Sequence, residues 1–290
     1  MVKIGQILAA AEQAGLKDKL AAEVWLAHLI KRDRAFLFAN PQHGLDKKTE
    51  QEFLSGVQAL IEGKPLSQLT GIKEFYGLEF QVTEDVLIPR PESELLVDLV
   101  VDFLKSHSYG GKLNIADIGT GSGCILLAVL KTLGFGQGFG VEISERALVV
   151  AQKNADRLHL RERVTWSKGG LLEPLPENVD IIMANLPYIG REKFNFIAAN
   201  VARYEPEEAL FGGSDGLDLY REMFRQLQQK KWRPDLLVGE FGFGQQQEME
   251  KILADNFAEA EFQVREDLAG IPRVFVVKWS GRKMNNGKIL

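Results

Sequence analysis

Two periodicities divide the chain. Through residues 1–62 apolar positions recur at three- and four-residue intervals, as in LAAEVWLAHLIKR (20–32), without strand-like alternation. That pattern predicts a small bundle of helices. DKKTEQEFLSGVQALIEG (46–63) opens on a capping candidate, Asp46, and closes on a glycine, the two signals that bound a helix. The character changes in KPLSQLTGIKEFYGLEFQVTEDVLIPR (64–90), where aromatic and β-branched segments flank Gly77 and predict a hairpin. PESELLVDLVVDFLKSH (91–107) returns to a helix, with Pro91 near its start, where a missing N–H does no harm.

From residue 112 two periods alternate. LNIADIG (113–119) reads as a strand, CILLAVLKTLG (124–134) as a helix, QGFGVEI (137–143) as a strand, SERALVVAQKNADRL (144–158) as a helix and RVTWS (163–167) as a strand. VDIIMAN (179–185) is the fourth strand of this unit. A loop, the helix LDLYREMFRQLQQK (217–230), the strand DLLVGEF (235–241) and the helix QQQEMEKILADNF (245–257) follow. The chain then closes on the runs AEFQVREDL (260–268) and RVFVVKW (273–279). Strands alternating with helices predict an α/β domain, a mostly parallel sheet covered on both faces. The adjacent final runs predict an antiparallel edge. The expected division is a helical domain over 1–72, a β-hairpin connector over 73–88 and the α/β domain over 89–290.

Composition narrows the class. With 290 residues, 45% of them hydrophobic and 26% charged, the chain has ample material for a core. No apolar run approaches the roughly 20 residues that span a bilayer, and the start, MVKIGQILAAAEQAG, lacks a secretory pattern. The single cysteine, Cys124, excludes an intramolecular disulfide and suits a reducing cytosol. The four histidines (His28, His43, His107, His159) are scattered, so no metal cluster is visible. A net charge of −5 disfavours nucleic acid as partner, because proteins that grip many phosphates concentrate positive charge. The basic end KWSGRKMNNGKIL (278–290) reads as a solvated tail.

The first α/β strand runs into DIGTGSG (117–123). Gly119, Gly121 and Gly123 permit a tight turn and close approach of backbone to a ligand. The spacing is not the dinucleotide fingerprint, since residue 124 is cysteine, and an ordinary tight turn would show the same glycines. Glu142, about 20 residues further on at the end of the second strand, stands where a nucleoside site places a carboxylate on the ribose hydroxyls. The alternative is a surface glutamate beside a helix cap at Ser144. The loop has no P-loop lysine, which argues against a nucleoside triphosphate. A nucleoside with little phosphate remains, and S-adenosylmethionine meets that description.

VDIIMAN delivers Asn185 to the carboxyl edge of the sheet, the edge where α/β proteins bind ligands. ANLPYIG (184–190) supplies no nucleophile or general base for neutral pH. It supplies an amide, a stiff proline and a flat ring. An acceptor amide or aromatic amine is a poor nucleophile because its lone pair is delocalised. Accepting its two N–H bonds on the Asn185 side-chain oxygen and a nearby carbonyl would aim that lone pair at a methyl sulfonium, with Tyr188 packed on the planar group. Catalysis is then positioning and exclusion of water. On its own, N-x-P-Y is equally an Asx-type turn closed by proline.

The whole series of motifs resembles the HemK/PrmC family of protein-(glutamine-N5) methyltransferases. The resemblance covers residues 64–290 and rests on LTGIKEFYGLEF (69–80), VLIPRPESELL (86–96), DIGTGSG, ANLPY (184–188), RYEPEEAL (203–210) and IPRVFVV (271–277). The helical N-terminal region is similar to that family's substrate-docking domain. The resemblance implies a seven-stranded Rossmann-like methyltransferase domain with S-adenosylmethionine as donor. The implied acceptor is the glutamine of a Gly-Gly-Gln loop in class-I peptide chain release factors, in the cytoplasm. It implies that Gly119, Thr120, Gly121, Ser122, Gly123, Glu142 and Asn185 hold the cofactor. Asn185, Leu186, Pro187 and Tyr188 would hold the glutamine amide, with Asn185, Pro187 and Tyr188 as the catalytic set and no metal.

Two departures from the family pattern matter. Leucine stands at 186 where the family usually has proline, as it does in adenine-methylating relatives. Its part is to offer a backbone carbonyl, so its side chain is expected to be incidental, and Pro187 biases it to the extended region. In SKGGLL (167–172) the family tends to carry an acidic residue near Gly169 for the adenine, whereas Gly169 and Gly170 have no side chain to offer. Either Arg90 and Glu92 close over the methionine part of the cofactor, or Pro89 and Pro91 shape the entry to the helix with Arg90 paired to a neighbouring carboxylate. Cys124 reads as a small buried helix residue. The competing functions are an adenine N6-methyltransferase, a ribosomal-protein glutamine methyltransferase and, from another class, a non-catalytic nucleoside-binding module.

Overall fold

The structure, a computed structural model, describes residues 1–107, 109, 113–176 and 179–279. Of the basic tail expected over 278–290, Lys278 instead ends a strand and Trp279 packs edge-on against Phe257, and the remainder lies outside the described residues. The chain forms two compact units, Met1–Ile72 with Ala199–Tyr204, and Lys73–Ala198 with Glu205–Leu290.

In the first unit, helices α1 (Ile4–Gln13), α2 (Lys19–Ile30), α3 (Arg34–Ala39), α4 (Lys47–Ile61) and α5 (Leu66–Thr70) follow in order. Asp18, Asp33 and Asp46 each accept a hydrogen bond from the N–H three residues on, at Ala21, Phe36 and Thr49. Each carboxylate thereby satisfies an orphan donor and complements the helix dipole. Ile4, Ile7, Leu26, Phe53 and Val57 are buried at the centre. A Cβ at Gly56 would stand 2.1 Å from the Trp25 indole nitrogen, so glycine is what lets that ring into the bundle.

The second unit opens on the hairpin β1 (Ile72–Phe75) and β2 (Leu78–Gln81). Tyr76 and Gly77 both have positive φ, 52° and 69°, as a two-residue primed turn requires. There follow a 3₁₀ turn at Pro91–Ser93, α6 (Glu94–Lys105), β3 (Asn114–Ile118), α7 (Cys124–Leu133), β4 (Gln137–Glu142), α8 (Glu145–Arg157), β5 (Val164–Lys168) and β6 (Ile181–Ala184). After α9 (Ala199–Tyr204), which belongs to the first unit, come α10 (Asp218–Lys230), β7 (Leu236–Glu240), α11 (Gln246–Asn256), β8 (Glu261–Glu266) and β9 (Pro272–Lys278). The α9 helix groups with the N-terminal bundle. There the Tyr204 carbonyl accepts from Gln68 Nε2 at 2.6 Å and its hydroxyl donates to the Glu62 carbonyl at 3.2 Å.

Seven strands pair in the order β5-β4-β3-β6-β7-β9-β8. The first five are parallel, and β9 runs antiparallel to both β7 and β8. The sheet separates two apolar layers, one centred on α6 and α7, the other on Tyr220, Phe224, Phe241 and Phe275. The consequence for function lies in the centre. The chain goes from β3 outward to β4 and β5, then returns to β6 on the other flank of β3, with Ile118 paired to Ala184. The loops after β3 and β6 therefore emerge side by side, at the switch point where such sheets take ligands.

Candidate active site

The loop after β3 is held by its neighbours. Gly119 N and Thr120 N both donate to the Val141 carbonyl of β4, and the Ser122 carbonyl accepts from Asn154, a fully buried residue of α8 that also bonds both ways with Gln81. Gly121 has φ +55° and open space where a Cβ would stand, so bare backbone faces the crevice. Thr120 and Ser122 are buried; the Thr120 hydroxyl donates to Asp117 Oδ2 at 2.6 Å. Asp117 Oδ1 is buried without a hydrogen-bond partner, and burial pushes this carboxyl up to about 7. Glu142, at the end of β4, accepts from Gly121 N at 2.9 Å on one oxygen and from Ile143 N and Ser144 N on the other. Its carboxylate is thus oriented by backbone.

The loop after β6 meets this wall. One cavity of about 380 Å³ is lined by Gly119, Thr120, Gly121, Ser122, Glu142, Gly169, Gly170, Asn185, Leu186 and Pro187. Asn185 Nδ2 donates to Ser93 Oγ at 2.9 Å and to Glu240 Oε2 at 3.0 Å. With Nδ2 so engaged, the amide oxygen forms the opposite end of the same planar group. The Tyr188 hydroxyl donates to Glu240 Oε1 at 3.1 Å, and burial, with Glu240 beside it, raises the phenol far above its usual range. Gln245, fully buried, clamps the Tyr188 carbonyl through Nε2 at 2.7 Å while its Oε1 accepts from Gly242 N.

Ser93 and Glu240 were not among the candidates from sequence. Glu240 ends β7 as Asn185 follows β6, so an acidic residue closing an apolar strand on the ligand edge was the available signal. Ser93 carried none beyond its place after IPRPE. The expectation that the Leu186 side chain is incidental is corrected. It is 2% exposed, sits in the Tyr220 layer, and its Cδ2 lies 3.0 Å from the point a Gly119 Cβ would occupy. Arg90 pairs with Glu205 Oε1, whose other oxygen accepts from Ile88 N at 3.0 Å, while Glu92 is exposed. Cys124 is buried, which pushes its thiol up to about 12. The Gly169 N–H donates to the Glu142 carbonyl.

The donor set suits a nucleoside without phosphate. Among the described lining residues Arg90 is the one cation, and Glu205 already holds it. The carboxylate of Glu142 and the bare amide backbone at Gly121 suit ribose hydroxyls and a ligand pressed against the loop. Among the described residues no group of three or more His, Cys, Asp and Glu is placed to hold a metal ion. No helix there is long and apolar enough to cross a membrane.

Residues 110–263 match the family model described as a methyltransferase domain, so fold and crevice together define an S-adenosylmethionine-dependent methyltransferase. Residues 5–71 match a second model, the PrmC N-terminal domain. The chain is 33% identical over 261 residues to the release factor glutamine methyltransferase of Bacillus cereus, covering 89% of this chain and 92% of that one. It is 37% identical over 262 residues to that of Moorella thermoacetica, covering 90% and 91%. The chain belongs to the release factor glutamine methyltransferase family. Among solved structures, the hMettl16 catalytic domain in complex with MAT2A 3'UTR hairpin 1 is similar at a TM-score of 0.56 and 15% identity, over 88% of this chain and 91% of that one. The likeness is one of fold.

Proposed function

We propose that this protein methylates the side-chain amide nitrogen (N5) of the glutamine in the Gly-Gly-Gln motif of class-I peptide chain release factors, in the cytosol. The observation that carries it is the single cavity shared by the glycine loop, Glu142 and the Asn185–Pro187 stretch. Donor and acceptor sites open into one space. Gly119 to Gly123 and Glu142 hold the cofactor, which when bound supplies an electrophilic methyl group on a sulfonium. Asn185 Oδ1 and the Leu186 carbonyl accept the two N–H bonds of the glutamine amide, Pro187 restrains that carbonyl, and the Tyr188 ring packs on the amide plane. Each hydrogen bond draws electron density toward nitrogen and holds it in line, so the rate comes from orientation in a dry site.

A protein loop suits the rim. Phe196 and Phe243 are 66% and 53% exposed and meet edge to face at 5.6 Å, and Gly242, next to Phe243, abuts the Tyr188 ring. Exposed aromatic pairs of this kind serve as anchors for a partner. The helical region over 1–72 serves to dock the release factor, the hairpin over 73–88 connects it, and chemistry stays within 89–290. The adenine N6 reading shares the planar NH₂ group but not the acidic charge balance. Incubation of the purified protein with S-adenosylmethionine and release factor, followed by peptide mass measurement, tests the assignment. One added methyl on the Gly-Gly-Gln peptide is expected. Methylation only of a ribosomal protein or of RNA would refute it.

A further inference from the structure

A carboxamide can present its oxygen or its NH₂ to a ligand, and an isolated asparagine chooses freely between them. In this protein the choice is made from behind. Asn185 Nδ2 spends both protons, one on Ser93 Oγ and one on Glu240 Oε2. Ser93 Oγ donates its own proton to the same Glu240 oxygen at 2.5 Å, so toward Asn185 it can only accept. Glu240 Oε1 takes the Tyr188 hydroxyl. Three donors from two segments thus converge on one carboxylate that is 1% exposed, beside a serine that is 2% exposed. Turned over, Asn185 would set Oδ1 against a carboxylate oxygen and a hydroxyl whose proton is already committed. Two hydrogen bonds would be lost and a buried charge left facing an acceptor, an arrangement strongly disfavoured in a low-dielectric interior.

We propose that Glu240, assisted by Ser93, is a positioning residue that locks Asn185 with its oxygen toward the acceptor, and so restricts the site to acceptor groups that donate N–H. The inference rests on Asn185 being the acceptor-binding residue. Its chemical consequence is selectivity between a glutamine and a glutamate side chain in the same loop. A carboxylate has no proton for Oδ1 and would face it with like partial charge. The same carboxylate fixes the Tyr188 ring through its hydroxyl, so the edge and the face of the acceptor site are set by one group that does not touch the acceptor.

The test uses the full chain with Glu240→Gln and Ser93→Ala. Glu240→Gln preserves shape but brings a donor to a point where three donors already meet, which removes the bias on Asn185. Affinity for S-adenosylhomocysteine by calorimetry should stay within about twofold. In the NMR spectrum the Asn185 side-chain NH₂ pair, identified by its absence in Asn185→Ala, should lose exchange protection in Glu240→Gln. Single-turnover methylation of release factor should fall on the order of 10²-fold, the scale of a misplaced reacting group, with KM for release factor little changed. Ser93→Ala should fall less and in the same direction. In an Asn185→Ala background Glu240→Gln should cost far less than in the wild type, leaving only its effect through Tyr188, since the Asn185 interaction is already removed. A folded Glu240→Gln protein at wild-type rate, or losses that multiply independently in the double variant, would overturn the proposal. If wild-type protein fails to methylate release factor, the functional assignment falls instead. The NH₂ protection then decides this inference alone, and protection retained in Glu240→Gln overturns it.

Discussion

Leu186 carries the sharpest conflict between motif and packing, and two substitutions separate its roles. The side chain is almost fully buried and touches the position above Gly119. Leu186→Ala removes three buried carbons where the neighbouring glycine cannot fill in, so a loss of about 3 kcal/mol is expected, within the range for buried leucines. The glycine loop should loosen with it and weaken affinity for S-adenosylhomocysteine. Leu186→Pro keeps most of the volume and a compatible backbone, because a residue before proline is biased to the extended region. It gives up roughly one methylene, about 0.8 kcal/mol. The proline variant should therefore lose about 1 kcal/mol, less than alanine, and still transfer methyl, since its carbonyl keeps its aim. Urea unfolding gives both stabilities, calorimetry the affinity, and single-turnover transfer the rate. An alanine variant as stable and as tight as wild type would refute the packing role. A folded, cofactor-binding but inactive proline variant would refute the carbonyl role.

Four further outcomes follow from the same geometry. Glu142→Gln should weaken S-adenosylhomocysteine binding by about 1–3 kcal/mol with little effect on folding; unchanged affinity in a calorimetric titration would remove Glu142 from the cofactor site. Asp117, raised from 3.8 to about 7 by burial, binds its proton more tightly folded than unfolded. The cofactor-free protein should therefore lose stability as pH rises from about 4 to 7 and level off above, and Asp117→Asn should flatten that slope in urea titrations. Arg90→Ala strands the buried carboxylate of Glu205 and should cost about 3 kcal/mol, measurable by the shift in urea midpoint; a negligible shift would mean the pair is solvent-screened. Deleting residues 1–72 should spare S-adenosylhomocysteine binding while impairing methylation of intact release factor, and full activity on that substrate would assign the helices another task.

The elements that could be read from the chain are those whose signal is local. The apolar runs of β3 and β6 declare buried parallel strands, Asp46 declares a helix start, and Gly119 with Gly121 declares a backbone that something approaches. The alternation of strands and helices carries enough order to bring the glycine loop and Asn185 to one edge of a sheet. What stayed hidden is whatever acts on another side chain. Ser93 and Glu240 are 147 residues apart, and neither has a periodicity, a spacing or a neighbour that marks it as a partner of Asn185. Leu186 looked incidental because a motif displays the atoms offered to a ligand, not those turned toward Gly119. The α9 helix, six residues long, is too short for an apolar face to reveal which unit it joins. The hairpin was legible from its turn, yet its anchoring was not, since Asn154 reaches Gln81 and the Ser122 carbonyl from the middle of α8. The distinction is physical. Groups that meet substrate tend to sit in recognisable turns at strand ends, where backbone conformation constrains residue type. Groups that aim them are constrained only by their neighbours in space, and a buried carboxylate such as Glu240 becomes intelligible once the three donors that converge on it are seen together.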